Sequence, residues 1–191
     1  SKYLISRSKY VKQHQIQYQI KDKDFHDDSI TKINSDGKIL YKKSIIEILI
    51  ENKIVDINIF WGTTDPIHLN DIEPAFNDTQ YWKQGDVFLS PHRLSAIIHY
   101  RPSTNKIINY ITGPFGPQHD VDIISDKEIS IFNNNNFFVD NEYSEVVIYN
   151  FETKKFRTLF NEQLQKENFK TTDQGLSHIF NDGALMVEEQ N

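Results

Sequence analysis

Cysteine is absent from the 191 residues, so the chain has neither a disulfide framework nor a thiolate metal site, and its redox compartment cannot be read from thiols. Glycine and proline are sparse, at seven and six residues, while aromatics reach 13%. That combination excludes a disordered linker and supplies the surface for packed sheets. No apolar run approaches the roughly 18 to 20 residues of a membrane span, and Ser1 to Tyr10 is polar and basic without the apolar centre of a signal peptide. Basic residues are outnumbered, 21 Lys and Arg against 27 Asp and Glu, giving a formal charge of −6. With no basic stripe to release counterions, general nucleic-acid binding is excluded.

What is present is a succession of short Ile, Val, Tyr and Phe runs separated by turn residues, the signature of strands and hairpins. Gln15 to Ile20, Lys38 to Ile50, Lys53 to Phe60, Asp86 to Ser90, Ser95 to Arg101 and Glu145 to Asn150 read as strands. A helical turn is expected only near Asn161 to Asn168, where Glu, Gln, Leu and Lys cluster without β-branched residues.

The strongest signal is internal repetition. Ser95-Ala-Ile-Ile-His-Tyr-Arg-Pro-Ser-Thr-Asn-Lys-Ile107 aligns without gaps on Ser144-Glu-Val-Val-Ile-Tyr-Asn-Phe-Glu-Thr-Lys-Lys-Phe156, an offset of 49 residues from Ser95 to Ser144. Each copy reads as strand, turn and returning strand. A second repeat aligns Gln118-His-Asp-Val-Asp-Ile-Ile-Ser-Asp126 with Gln174-Gly-Leu-Ser-His-Ile-Phe-Asn-Asp182, and Ser29 to Gly37 is a looser third copy closing on an Asp-Gly turn. Propeller blades take about 40 to 50 residues each. The expected fold is therefore all-β, a single β-propeller-like domain over residues 1–191 with about four blades of antiparallel four-stranded sheet.

The first strand of each blade lines the axial channel, so residues at equivalent strand starts converge at one mouth. His26, His68 and His119 stand at or just before such starts. The plain alternative is that each satisfies a buried turn. Against it for His119, the aligned residue of the next unit is Gly175, which suggests that the turn forms without an imidazole, unless the final unit is shaped differently. His68 and Asn70 are two apart, on one face if the segment is a strand, and could hold an anionic or hydroxyl group together. His26 with Asp27 and Asp28 could suggest a metal, but no converging ligands at fixed spacing are visible. His92 and Arg93 interrupt an apolar run, where a guanidinium could fork onto a sulfate or phosphate. Tyr81 and Trp82 lie in an insertion and either roof the mouth or pack on a blade edge. Asn133 to Asn136 reads as a polar loop without chemistry of its own.

These residues resemble the PAPS-independent arylsulfotransferases, a family of six-bladed propeller enzymes from bacteria. The likeness rests on Asp65-Pro-Ile-His-Leu-Asn-Asp-Ile72, Leu89-Ser-Pro-His-Arg93, Gln118-His119 leading to Ile131-Phe-Asn-Asn134, and Tyr143-Ser-Glu-Val-Val-Ile-Tyr149, and spans roughly residues 26 to 190. It implies transfer of a sulfuryl group from an aryl sulfate to a phenol through a sulfohistidine, with no cofactor. It places His119 as nucleophile, His68 and Asn70 as the pair holding the sulfuryl group, and His26 as an aid to proton transfer. By the same resemblance the setting is periplasmic or otherwise extracytoplasmic. Counting from Leu89-Ser90, the family's arginine falls on His92, not Arg93. Either a bulge restores Arg93 to the site or the guanidinium is missing. Four blades against six also make the chain a fragment or a shortened relative.

Three functions are thus weighed: an arylsulfotransferase, a non-catalytic propeller-type module binding a ligand or protein, and hydrolysis with water as acceptor. Homo-oligomerisation is left open.

Overall fold

The computed structural model describes residues 2–9, 26–54, 64–134, 143–172 and 174–188, the first segment by its backbone alone. Two four-stranded antiparallel meanders form its centre. One runs in the order β4 (Leu69–Pro74), β5 (Val87–Pro91), β6 (Ile97–Arg101), β7 (Lys106–Ile111), and the next in the order β8 (Gln118–Ser125), β9 (Glu128–Asn133), β10 (Glu145–Asn150), β11 (Lys155–Leu159). They are flanked by a three-stranded sheet of β1 (Lys2–Lys9), β2 (His26–Ile33) and β3 (Ile39–Ser44), and by a pair, β12 (Ser177–Ile179) and β13 (Leu185–Val187). The fold is all-β with propeller-like sheets. Among the described residues these sheets do not close into a ring, and no helix is long and apolar enough to cross a membrane.

Alternation explains why the sheets stack. Along β5 and β6, Val87, Leu89, Ile98 and Tyr100 join a core with Ile30 of β2, whereas Phe88 and Ile97 face the other way into a core with Val121, Ile129, Ile131 and Val147. The same switch recurs in the following sheet, where Phe132, Val146 and Ile148 turn toward Leu164 and Phe169. Successive side chains of a strand point to opposite faces, so a strand buried on both faces reads as an unbroken apolar run. The outer strand β7 alternates instead, exposed at Lys106, Ile108 and Tyr110.

The first repeat maps onto the third and fourth strands of the two complete sheets, and even its turn is reproduced. Asn105 and the aligned Lys154 both hold a left-handed backbone, φ 54° and 56°. The second repeat opens β8 and β12, and the Asp-Gly turn after β2 has Gly37 at φ 79°. The helical turn expected near Asn161 is α2 (Asn161–Lys166) once α1 (Ile45–Glu51) is counted first.

Two expectations need correction. Lys38 to Ile50 is not one strand: β3 ends at Ser44 and α1 follows. The Ser44 hydroxyl accepts the Glu47 N–H at 3.0 Å, and Ser-x-x-Glu is a helix-start signature. Ile45, Ile46, Ile48 and Leu49 are all buried, so tertiary burial of one helical face overrides the strand preference of isoleucine. Secondly, Trp82 does not roof a mouth. It is 1% exposed, with Phe88 and Phe151 edge-on at 5.5 and 5.4 Å, and Tyr81 is half-buried against Phe151. Gln15 to Ile20, and Lys53 to Phe60 beyond the turn at Lys53 and Ile54, lie outside the described residues.

The sheets are also tied at their inner edges by side-chain carboxylates. Asp28 of β2 accepts the Leu69 N–H of β4 at 2.6 Å, Asp71 of β4 accepts the Val121 N–H of β8 at 3.1 Å, and Asp120 of β8 accepts the Ser177 N–H of β12 at 2.8 Å. Each sheet thus hands a carboxylate to a backbone amide of the next.

Because Trp82 fills the core between the two complete sheets, Trp82→Ala should cost about 3–5 kcal/mol of unfolding free energy. Urea unfolding reads this as a lowered midpoint at unchanged slope. A loss below about 1 kcal/mol would instead fit a surface tryptophan.

Candidate active site

Bulges at the start of two inner strands aim the site's side chains. On β4, Leu69 pairs with Pro91 and Asp71 with Ser90, so Asn70 is the extra residue. On β8, Gln118 pairs with Asn133 and Val121 with Ile131, so His119 and Asp120 together oppose Phe132. Bulges bend a strand and redirect side chains. His68 precedes β4 with a left-handed φ of 50°, a conformation that costs a non-glycine residue free energy and clusters at functional positions. It is therefore this turn and the bulge, not the face of a regular strand, that place His68 and Asn70 together.

His68 is held by Asp65, whose carboxylate lies 2.6 Å from Nδ1, and its carbonyl accepts the His92 N–H at 3.0 Å. His92 opens a single 3-10 turn, His92–Leu94, after Pro91. Its ring lies between the other two, 5.0 Å from His68 and 4.9 Å edge-on to His119 by centroids. The Asn70 amide lies 3.4 Å from His92 Nδ1 and donates to the Gln118 carbonyl at 3.3 Å. Burial, followed by the charges of His119, His68 and Arg93, pushes His92 down to about 4. It is a neutral imidazole at neutral pH. Arg93 is exposed, with its N–H on the Ile67 carbonyl at 3.2 Å. The 3-10 turn therefore puts His92, and not Arg93, among the histidines.

His119 is 8% exposed. Its Nδ1 lies 2.6 Å from Asn134 Oδ1, and its Nε2 accepts the Gln174 N–H at 2.9 Å. A cavity of about 670 Å³ is lined by His68, Asn70, Asp71, His119, Asp120 and the segment from Gln174 to Leu176. His26 is exposed at the start of β2, its N–H on the Thr64 carbonyl, and joins none of the ring contacts that link His68, His92 and His119. Tyr81 and Trp82 lie in the core, away from the cavity-lining residues.

Two residues carry more than their sequence signal suggested. Asn134, read as part of a polar loop, is fully buried and donates to the carbonyls of Thr171 at 3.0 Å and Gln174 at 2.7 Å. Gln174 caps His119 from a residue with φ 72°. The only pointers to them were the Ile131 to Asn134 motif and the alignment of Gln118 with Gln174. Gly175 is not evidence that the turn can do without an imidazole. Gly175 has φ 98°, and a Cβ there would meet Phe132 at 2.6 Å. The last unit is shaped differently and needs its glycine.

Asp71, Asp120 and Glu188 make the cavity wall acidic, and Glu73 stands two residues beyond Asp71 on β4, outside the lining. Burial pushes Asp71 up to about 6 and Asp120 up to about 7, and burial with the neighbouring Asp122 charge lifts Glu73 to about 7. Among the described residues, no three His, Asp or Glu side chains are arranged to hold a metal ion.

Four-stranded propeller-type sheets with imidazoles gathered at the openings of their inner strands define a propeller-fold protein with a histidine-lined site. Residues 5–191 match the family model described as arylsulfotransferase (ASST), and the chain belongs to that family. No curated protein and no solved structure matches it. Family membership gives it a sulfotransferase-type character and the class of a transferase.

The raised carboxyls have a consequence for stability. Their folded-state values lie above the ordinary 3.8 and 4.5, so the folded protein binds these protons more tightly than the unfolded chain. The stability these protons contribute is full below about pH 4 and should fall as pH rises from about 4 to about 7. Asp71→Asn with Asp120→Asn keeps an oxygen for each backbone N–H and should flatten that decline. Urea unfolding at both pH values tests this, and an equal decline in wild type and double variant would refute it.

Proposed function

We propose that this protein moves a sulfuryl group from an aryl sulfate ester to a phenol through a sulfohistidine on His119. The observation that carries this reading is the hydrogen bonding of the His119 ring. With Nδ1 committed to Asn134 and a backbone N–H donating to Nε2, Nε2 holds the lone pair at the cavity wall. Displacement of the Gln174 amide by a bound sulfate ester lets Nε2 attack sulfur. The N–S bond forms as the S–O bond to the aryl group breaks, and the phenolate leaves with that electron pair. A second phenol then attacks the same sulfur, loses its proton, and returns the imidazole. Splitting one displacement into two is the gain of covalent catalysis.

His68, oriented by Asp65, and Asn70 flank the sulfuryl group in this reading. Asp120, at about 7, is suited to give a proton to the first phenolate and take one from the acceptor, since acid–base efficiency peaks when the pKa lies near the working pH. The role that the family resemblance gives His26 falls to Asp120 here. The reaction needs no cofactor, and the family resemblance carries an extracytoplasmic setting with it.

A second reading, a ligand-binding module without turnover, is favoured by His92. It stands where the family's guanidinium falls and is neutral, so the sulfuryl oxygens meet less positive charge than such chemistry ordinarily recruits.

Incubation with a chromogenic aryl sulfate and a phenol separates the two. The transfer reading expects sulfated acceptor, a covalent adduct on His119 detectable by peptide mass when acceptor is omitted, and a loss of roughly 10³-fold or more in His119→Ala. Product that forms equally without phenol indicates hydrolysis. Saturable binding without turnover indicates the binding module.

A further inference from the structure

We propose that Asn134 is a positioning residue that fixes the tautomer and orientation of His119. Its effect on turnover rests on the reading of His119 as nucleophile; its effect on the ring does not.

Donors and acceptors around the ring fix its proton. A backbone N–H only donates, so the Gln174 amide at 2.9 Å requires a lone pair on Nε2. The proton of the neutral ring is therefore on Nδ1, and the atom 2.6 Å away on Asn134 must accept it. The amide is oriented independently of the histidine. Its NH2 group faces the carbonyl oxygens of Thr171 and Gln174, which accept and cannot donate, so its oxygen is the atom left to face Nδ1. Turning the amide over would set oxygen against two carbonyls and an NH2 group against Nδ1–H. Shifting the ring proton would set N–H against N–H at Gln174. Each such mismatch among buried groups costs about 1–3 kcal/mol, and Asn134 is fully buried.

The bonds also close a ring. Asn134 Nδ2 holds the Gln174 carbonyl at 2.7 Å while the N–H of the same residue sits on Nε2. One side chain thus positions the imidazole from the Nδ1 side and anchors the segment that covers the Nε2 side. A third group that orients a base or nucleophile is a recurring device in covalent catalysis. Here it is a neutral carboxamide, which accepts from Nδ1–H and donates to two carbonyls, as a carboxylate could not.

The test is 15N NMR of the His119 ring at a pH where it is neutral, with activity measured in parallel. Wild type should show a protonated Nδ1 and an unprotonated Nε2. Asn134→Leu, which removes the acceptor, should move the ring to a mixture or to the Nε2–H form and lower kcat by about 10- to 100-fold with KM little changed. Asn134→Asp, which keeps an acceptor for Nδ1–H, should retain the Nδ1–H form. A protonated Nε2 in wild type, or an unaltered tautomer in Asn134→Leu, overturns the proposal. If Asn134→Leu does not fold, the wild-type and Asn134→Asp spectra decide it. A tautomer that follows Asn134 in a protein without turnover upholds the positioning and sinks the nucleophile reading instead.

Discussion

The carboxylates that cross from one sheet to the next set the geometry on which the rest depends. A sheet packed on its neighbour through apolar side chains alone has several nearly equal ways to slide, because burial is non-directional. A side-chain oxygen on a specified backbone N–H removes that freedom. Asp28 on Leu69, Asp71 on Val121 and Asp120 on Ser177 fix how far each inner strand is advanced relative to the one before. Because Asp71 and Asp120 adjoin the bulge residue Asn70 and the histidine His119, the same bonds that register the sheets decide which side chains meet at the cavity.

That registration has an electrostatic cost that shapes the site. Asp71 and Asp120 line the cavity together with His68 and His119, and burial raises both of them, and Glu73 further along β4, toward neutrality. Like charges in one buried wall resist joint ionisation. A wall of partly protonated carboxyls repels an anion less than a fully ionised one. His92 contributes no countercharge, because its own burial keeps it neutral. The site therefore presents neutral hydrogen-bonding groups, Asn70 and His92 among them, more than net positive charge.

Sequence and structure agree best where the physics is local or repeated. The hairpins at Ile97 to Ile111 and Glu145 to Leu159 were legible because each packs the same way in its sheet, down to the shared left-handed turn at Asn105 and Lys154. The strand expected over Lys38 to Ile50 misjudged α1 because isoleucine favours strands, although Ser44 and Glu47 had marked the helix start. At the site, His68 and His119 were legible as candidates from their place at strand openings, as was His26, which does not join them, and Asn70 from its two-residue spacing to His68. The choice between His92 and Arg93 was not, since it turned on whether the chain continued as strand or entered a 3-10 turn after Pro91. Asn134 was hidden in a run of four asparagines, where composition points to a loop.

By itself the sequence determined the all-β repeat, its blade-sized period and the strand openings that carry histidine, because periodicity and turn chemistry act over a few residues at a time. Only the tertiary structure decided that Trp82 is core, that His92 joins His68 and His119, and that Asn134 and Gln174 hold the two nitrogens of His119. These depend on bulges and on contacts between residues far apart in the chain, such as His119 and Gln174, 55 positions apart. A one-residue change of register reverses which side chain faces the cavity, and that register is fixed by packing between sheets, beyond the reach of any local pattern.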